Sequence, residues 1–383
     1  MAAVLVAMAV VGAACGSDSD EASDTTENAA DSSSGSSTAL VDEAKQIVEA
    51  GSAPLTFEAP GPAIEVGTEL EGKSIVFISA ALEYDFTQNI LGGMEEAAAE
   101  AGVEIQAFDA KGDTTTATRQ IEQAISQKAS LIVIMSFSTK LLEAPIKEAK
   151  AAGIPVIMAL DGDPAAPTAD EVETGVAGKV SFCYSCAGEL MAAVAVAQTE
   201  GDVNAVVVGV PDSDAAVLEG DGFTSELERL CPDCKAEMTG APTAQWATQL
   251  PTIATSAVQD PEVNMIVPLW AALMDVMKPS LLAAGAEDRI SAVTYNAVET
   301  SMTDLQNGEF ITGIVASPED WLGWAVMDQS FRVLTGADAV ADENIGSRIF
   351  TEANKEDAEP ATGPIFGDVD FRAEYLALWG LDS

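Results

Sequence analysis

From residue 73 onward, short apolar runs and longer mixed stretches follow one another in a regular beat. The run SIVFIS (74–79) reads as a strand, and residues 89–101, rich in Ala, Glu and Met and closed by Gly102, have the spacing of an amphipathic helix. VEIQAFDA predicts a second strand, and residues 115–128 a second helix with Ile121, Ala124 and Ile125 on one face. LIVIMS, the helical stretch STKLLEAPIKEAKAAG and the strand IPVIMALD complete a first series. The beat then restarts with a helix over 187–199, the strand NAVVVGV, a helix over 215–230 and the strand-like CKAEMTG. A helix over 250–259, the strand MIVPLW, a helix over 278–284, the strand RISAVTYN and a helix over 299–306 follow. The run FITGIVAS and a long helix over 318–334 close the series. Continuous apolar strands alternating with helices predict parallel sheets covered on both faces. More than 300 residues outside the amino-terminal segment exceed what one core supports, so two lobes are expected. The expected fold is therefore α/β, with two doubly wound parallel-sheet lobes and a ligand cleft where their strand ends face each other.

The amino-terminal segment breaks this pattern. Residues 1–14 are small and apolar, far short of the roughly 20 residues that a membrane-spanning helix needs. They read as the apolar core of a secretory signal. The signal ends in Gly12-Ala13-Ala14-Cys15, which resembles the lipobox of bacterial lipoproteins, where the cysteine is lipidated. A Leu would be expected where Gly12 stands, and no Lys or Arg precedes Lys45, so the true start is expected upstream. The Ser/Asp-rich run that follows has the composition of a disordered tether.

Charge narrows the partners. Asp and Glu number 62 against 17 Lys and Arg, a formal net charge of −45. Such a chain does not bind nucleic acid, whose phosphates need cations, nor cling to anionic headgroups by charge. Histidine is absent, which excludes Ser-His-Asp and Cys-His mechanisms.

Five segments in order carry a family resemblance: SIVFISAALEYDFTQNILGGMEEAAAEAG, GIPVIMALD, AAVLEGDGF, VTYNA and GIVASPEDWLGWAVMD. Together they make residues 73–382 similar to the type I periplasmic binding proteins of sugar ABC importers, the ribose- and galactose-binding group. The resemblance implies a leader over 1–15, a tether over 16–40 and an extension over 41–72. The first lobe would take 73–178 with about 317–350, and the second 179–316 with about 351–383. It also implies aromatic rings after the first strand that stack on a sugar, matched here by Phe86 and Tyr84. Asp161 matches the carboxylate that ends the fourth strand, but Gly162 and Val217 stand where the family has arginines. Asn296 replaces an Asp after VTY, and Ala316 and Ser317 stand where the family often has Gln. Trp270 enters at the end of MIVPLW, and Asp214 directly precedes AAVLEGDGF; both join the ligand-binding candidates. Trp321 and Trp324 lie near the crossover between lobes, Trp324 on an apolar helix face as a core residue would. Fewer donors and more aromatic surface suit a ligand less hydroxylated than a free pentose: a deoxysugar, a nucleoside-like compound or an aromatic ring.

The cysteines outside the leader form two Cys-x-x-Cys pairs, Cys183 with Cys186 and Cys231 with Cys234. One opens a helix and the other closes the next, which sets them at opposite ends, out of reach of one metal. In an extracytoplasmic chain each pair is expected as a disulfide. The function implied is a monomeric, lipid-anchored solute-binding protein that hands a sugar-like ligand to an ABC permease. It would need no cofactor or metal and perform no catalysis. A ligand-presenting subunit of a membrane receptor shares the same fold.

Overall fold

The computed structural model describes residues 30–357 and 365–381; Cys15 and residues 16–29 lie outside them. The first sheet contains β1 (Ser74–Ser79), β2 (Glu104–Asp109), β3 (Leu131–Met135), β4 (Val156–Ala159) and β5 (Val176–Val180). Their order is β2-β1-β3-β4-β5, and every neighbouring pair is parallel. Side chains alternate across a strand. Ile75 and Phe77 of β1 therefore enter one core layer, with α2 (Asp85–Glu100) and α11 (Glu319–Thr335). Val76 and Ile78 enter the other, with α3 (Thr114–Gln127) and α4 (Glu143–Ala151).

The second sheet contains β6 (Asn204–Gly209), β7 (Lys235–Gly240), β8 (Met265–Pro268), β9 (Ser291–Tyr295), β10 (Ile311–Ala316) and β11 (Arg348–Thr351). Its order is β11-β10-β9-β8-β6-β7, parallel except for β11, which runs antiparallel to β10. Helices α6 (Tyr184–Gln198) and α7 (Asp214–Leu230) pack as one pair, α8 (Trp246–Gln259) and α9 (Ala271–Ala283) as another.

Glycines let one helix pair in each lobe meet backbone to backbone. A Cβ on Gly93 of α2 would stand 2.1 Å from the Asp320 carbonyl oxygen, and one on Gly323 of α11 would stand 2.3 Å from that of Ile90. In the second lobe a Cβ on Gly188 of α6 would meet the Glu219 oxygen at 2.0 Å, and one on Gly222 of α7 that of Ser185 at 2.2 Å. No side chain fits at these crossings.

Several segments depart from the sequence reading. Residues 30–40, expected in the tether, belong to α1 (Ala30–Gly51). Val41 and Ala44 of α1 are buried, and Glu43 and Lys45 pair with Arg229 and Glu200, both at 2.7 Å, so the helix is held on the second lobe. Strand β5 was not anticipated, because Gly178 and Lys179 interrupt its apolar run. Residues 348–350 were expected in the first lobe, yet β11 extends the second sheet.

The carboxy-terminal α12 (Phe371–Leu378) was expected in the second lobe and packs on the first. The cause is an aromatic stripe four residues apart, Phe371, Tyr375 and Trp379. Phe371 stacks on Trp321 at 4.9 Å and Trp379 on Trp324 at 5.4 Å, while the Trp379 indole donates to Asp328 at 2.7 Å. Trp321 and Trp324 are therefore buried core of the first lobe.

Both cysteine pairs are joined as disulfides, Cys183–Cys186 and Cys231–Cys234. The first caps the amino end of α6. The second lies beside the Gly201 carbonyl, past its carboxy end, with sulfurs 3.2 and 3.3 Å away. The 15 residues of α6 hold them about 22 Å apart. Among the described residues no cluster of Cys, Asp and Glu is placed to hold a metal, and no helix is long and apolar enough to cross a membrane.

Candidate functional site

Between β1 and β11 the chain passes between the lobes three times, after β5, after β10 and between α11 and β11, and these three crossings lie at the carboxyl ends of the strands. Two crossings are tied together by hydroxyls. Tyr295, ending β9, donates to Ser317 Oγ at 3.0 Å, and Ser317 and Ser347 Oγ lie 2.8 Å apart. At the remaining crossing, the first-lobe Asp163 receives the Tyr184 and Ser185 backbone N–H groups at 2.6 and 3.1 Å and the Ser185 hydroxyl at 2.6 Å. A carboxylate there satisfies the free amides and positive dipole end of α6.

On the first lobe, Asp161 follows β4 and Thr139 follows β3. Asp161 Oδ2 accepts from Thr139 N at 3.1 Å and Thr139 Oγ1 at 2.7 Å, which leaves Oδ1 without a protein donor. Phe86, in the first turn of α2, is half-buried and meets Phe182 edge-on at 6.5 Å, bringing a ring from each side of the crossing together. On the second lobe, Asn296 follows β9; its side-chain Oδ1 is buried and unpartnered. Trp270 follows β8, half-buried and edge-on to Trp246 at 6.4 Å.

The backbone at these strand ends is unusual. Ser136 after β3, Leu160 after β4 and Asn296 after β9 have φ of 60°, 57° and 82°. Non-glycine residues there are uncommon, a branched Leu most of all, and such strain collects at binding sites.

Of the sequence candidates, Phe86, Asp161, Asn296 and Trp270 stand at strand carboxyl ends around the crossings. Tyr84 is 56% exposed and Asp214 is exposed at the start of α7, neither in contact with that group through any ring or hydrogen bond. Sequence reasoning passed over Glu219, quoted within AAVLEGDGF but not singled out. It is fully buried, and neither carboxylate oxygen has a hydrogen-bond partner. Burial pushes its carboxyl well above the usual range; the Trp270 indole offsets this in part, and the charge of Asp163 adds to it. The signal was a lone Glu on the face of α7 that also carries Ala216, Gly220 and Phe223. Tyr184 and Tyr295, also buried, meet edge-on at 6.4 Å beside it.

A cavity of about 300 Å³ opens on the hinge flank, lined by Gln88, Asn89, Ala297, Ser317, Glu319 and Phe366. Asn89 donates to Glu319 at 2.8 Å, and burial raises the Glu319 carboxyl to about 7. A larger depression of about 530 Å³ lies by Lys73, Lys128 and Ile154, next to the amino ends of the first sheet's strands. Ligands of open α/β sheets bind at the opposite ends, so the cleft is the candidate site.

No curated protein matches the sequence. Solved structures share the fold at low identity. A 5-methylthioribose transporter solute-binding protein from Thermotoga lettingae, in complex with 5-methylthioribose, superposes with a TM-score of 0.66 at 18% identity over 84% of this chain and 95% of its own. An ABC transporter solute-binding protein from Agrobacterium vitis with bound allitol gives 0.65 at 17% over 75% and 98%. A Mycobacterium smegmatis protein in complex with β-D-fucofuranose gives 0.63 at 19% over 81% and 98%. A family model described as a periplasmic binding protein domain matches residues 75–338. With two α/β lobes, repeated crossings between them and a strained cleft at their strand ends, this chain is a member of the periplasmic binding protein family.

Proposed function

We propose that this protein captures a sugar or sugar-like solute outside the cytoplasm and delivers it to an ABC permease. The observation that carries this reading is the set of acceptors near the strand carboxyl ends, where Asp161, Glu219 and Asn296 hold side-chain oxygens that no protein hydrogen bond occupies. Sugar hydroxyls are donors of the kind these acceptors lack. The solutes bound by the structural relatives, a thio-substituted ribose, an acyclic polyol and a furanose, support the same class.

In this reading the ligand enters between the lobes, its apolar C–H face against Phe86 and its hydroxyls toward Asp161 and Asn296. The crossings bend as a hinge, and the closed form is the one the permease recognises. Binding and release are the whole of the activity; no bond is made or broken. A lipid on Cys15 would hold the protein at the membrane, supported by the Gly12-Ala13-Ala14-Cys15 sequence. Palmitate-analogue labelling that persists in Cys15→Ala would overturn the anchor.

A thermal-shift screen of the protein against pentoses, hexoses, polyols and nucleosides tests the cleft. A saturable rise in Tm with a sugar or polyol is expected. A rise with nucleosides alone would replace the sugar reading.

A further inference from the structure

The second sheet places three cleft positions on adjacent strands: Glu219 on the helix after β6, Trp270 after β8 and Asn296 after β9. Two of the three present buried oxygens without a donor: both of Glu219 and Oδ1 of Asn296. Across the crossing, Asp163 closes on the amino end of α6, and Asp161 keeps Oδ1 open. Among the described residues no Lys or Arg forms an ion pair with Asp161, Asp163, Glu219 or Glu319. The chain's positions matching the family's arginines are Gly162 and Val217, and Val217 is exposed on α7. Glu219 and the open oxygen of Asp161 therefore stand without an ion-pair partner from the protein, beside the unpartnered amide oxygen of Asn296.

A neutral polyol leaves that imbalance in place. Burying a carboxylate without a partner is costly, and a buried carboxyl stays charged only beside a cation or several donors. From this arrangement we infer that the ligand carries a protonated amine, as an amino sugar does, and that Glu219 receives it beside the face of Trp270. The Trp270 indole, close to the Glu219 carboxyl, suits the same occupant, because its π system attracts a cation. Tyr184 and Tyr295, both buried, lie near enough to Glu219 to feel its charge. In the unliganded protein, burial and the Asp163 charge keep the Glu219 carboxyl pushed up, a state that an arriving ammonium reverses.

This inference rests on the sugar-binding reading and refines it. Matched pairs distinguish the two: galactosamine with galactose, glucosamine with glucose, mannosamine with mannose, titrated calorimetrically at pH 7. At least one amine should bind about ten- to a hundredfold more tightly than its neutral partner, the range of a charge-assisted hydrogen bond. Glu219→Gln, close in size and shape, should reduce that ratio to near one without lowering Tm. Neutral members binding as well as or better than the amines would overturn this inference and leave the sugar reading standing. An amine preference undiminished in Glu219→Gln would remove Glu219 from the site and overturn the assignment. Failure of every sugar, amine and neutral alike, would overturn both readings.

Discussion

Asp161 serves the ligand and the protein at once. One oxygen holds the loop after β3 through Thr139, and the other has no donor from the protein. Asp161→Ala should lose both, so a fall in affinity with that variant alone does not separate binding from loop collapse. Asp161→Asn keeps an oxygen for the Thr139 bonds and removes the charge. It should melt within a few degrees of wild type and bind the screened ligand roughly ten- to a hundredfold more weakly, the loss of one hydrogen bond to a charged group. Calorimetry with wild-type affinity in Asp161→Asn and Asn296→Ala together would mean that the acceptors of this cleft do not grip the ligand. At this scale the sequence showed the strand-end residues well. Asp161, Asn296 and Trp270 each follow an apolar run directly, and a side chain at a strand's end has few places to go. Asp163 and Glu219 were hidden for a physical reason. Asp163 finds its partners 21 and 22 residues away, across a turn of chain and a strand. Glu219 reads as an ordinary helix glutamate until the fold shows that its face is inward.

The elements that frame the cleft depend on contacts finer than side-chain size. Gly188 and Gly222 bring α6 against α7 at the point where the Glu219 carbonyl rests, so this crossing sets the depth of the Glu219 side chain. A methyl at Gly188 would stand 2.0 Å from that oxygen, and the helices must part. Overpacking of this kind costs about 1–3 kcal/mol. Gly188→Ala should lower the denaturant midpoint accordingly, whereas Gly92→Ala, where a Cβ meets nothing, should not. Equal midpoints for the two variants would mean that the crossing yields freely. Most strands and helices were legible because their apolar runs are long and unbroken, as in LIVIM and MIVP. The failures have specific causes. Strand β5 is five residues with a Gly and a Lys inside it, short of a recognisable run. Helix α1 begins in serines that suit a tether, although Val41, Ala44 and Val48 already mark its inner face. The lobe membership of β11 and α12 is decided by partners elsewhere in the chain, β10 for the strand and Trp321, Trp324 and Asp328 for the helix, about which local pattern is silent.

For the molecule as a whole, acidity and burial act together. The chain carries a net charge of −45, yet several carboxyls are pushed up rather than left free to ionise. Burial raises Glu343, and the charge of neighbouring Asp328 adds to it; burial likewise raises Glu219, and brings Glu319 to about 7 with repulsion from Asp320 and Asp85 adding to it. A carboxyl whose folded value lies above its unfolded one binds more protons in the folded state. Its stabilisation is full below the unfolded value of 4.5 and is lost as pH rises; for Glu319 that window runs from 4.5 to about 7. Asp113, held low by hydrogen bonds from Thr116, works the other way, and its contribution is lost only as pH falls below 3.8. Melting temperature should therefore rise as pH is lowered from 7.5 to about 5, opposite to a protein whose carboxylates are mostly paired. Diffuse self-repulsion among surface acids has the same sign, but salt screens it within about 10 Å at 0.1 M, while a penalty from burial persists. Glu319→Gln separates the two. It can still accept from Asn89 and copies the protonated state, so it should melt higher than wild type at pH 7.5, match it near pH 5, and keep that difference in 0.5 M salt. A difference that is independent of pH, or that vanishes with salt, would assign the acid preference to the surface instead of to the hinge-side carboxyl.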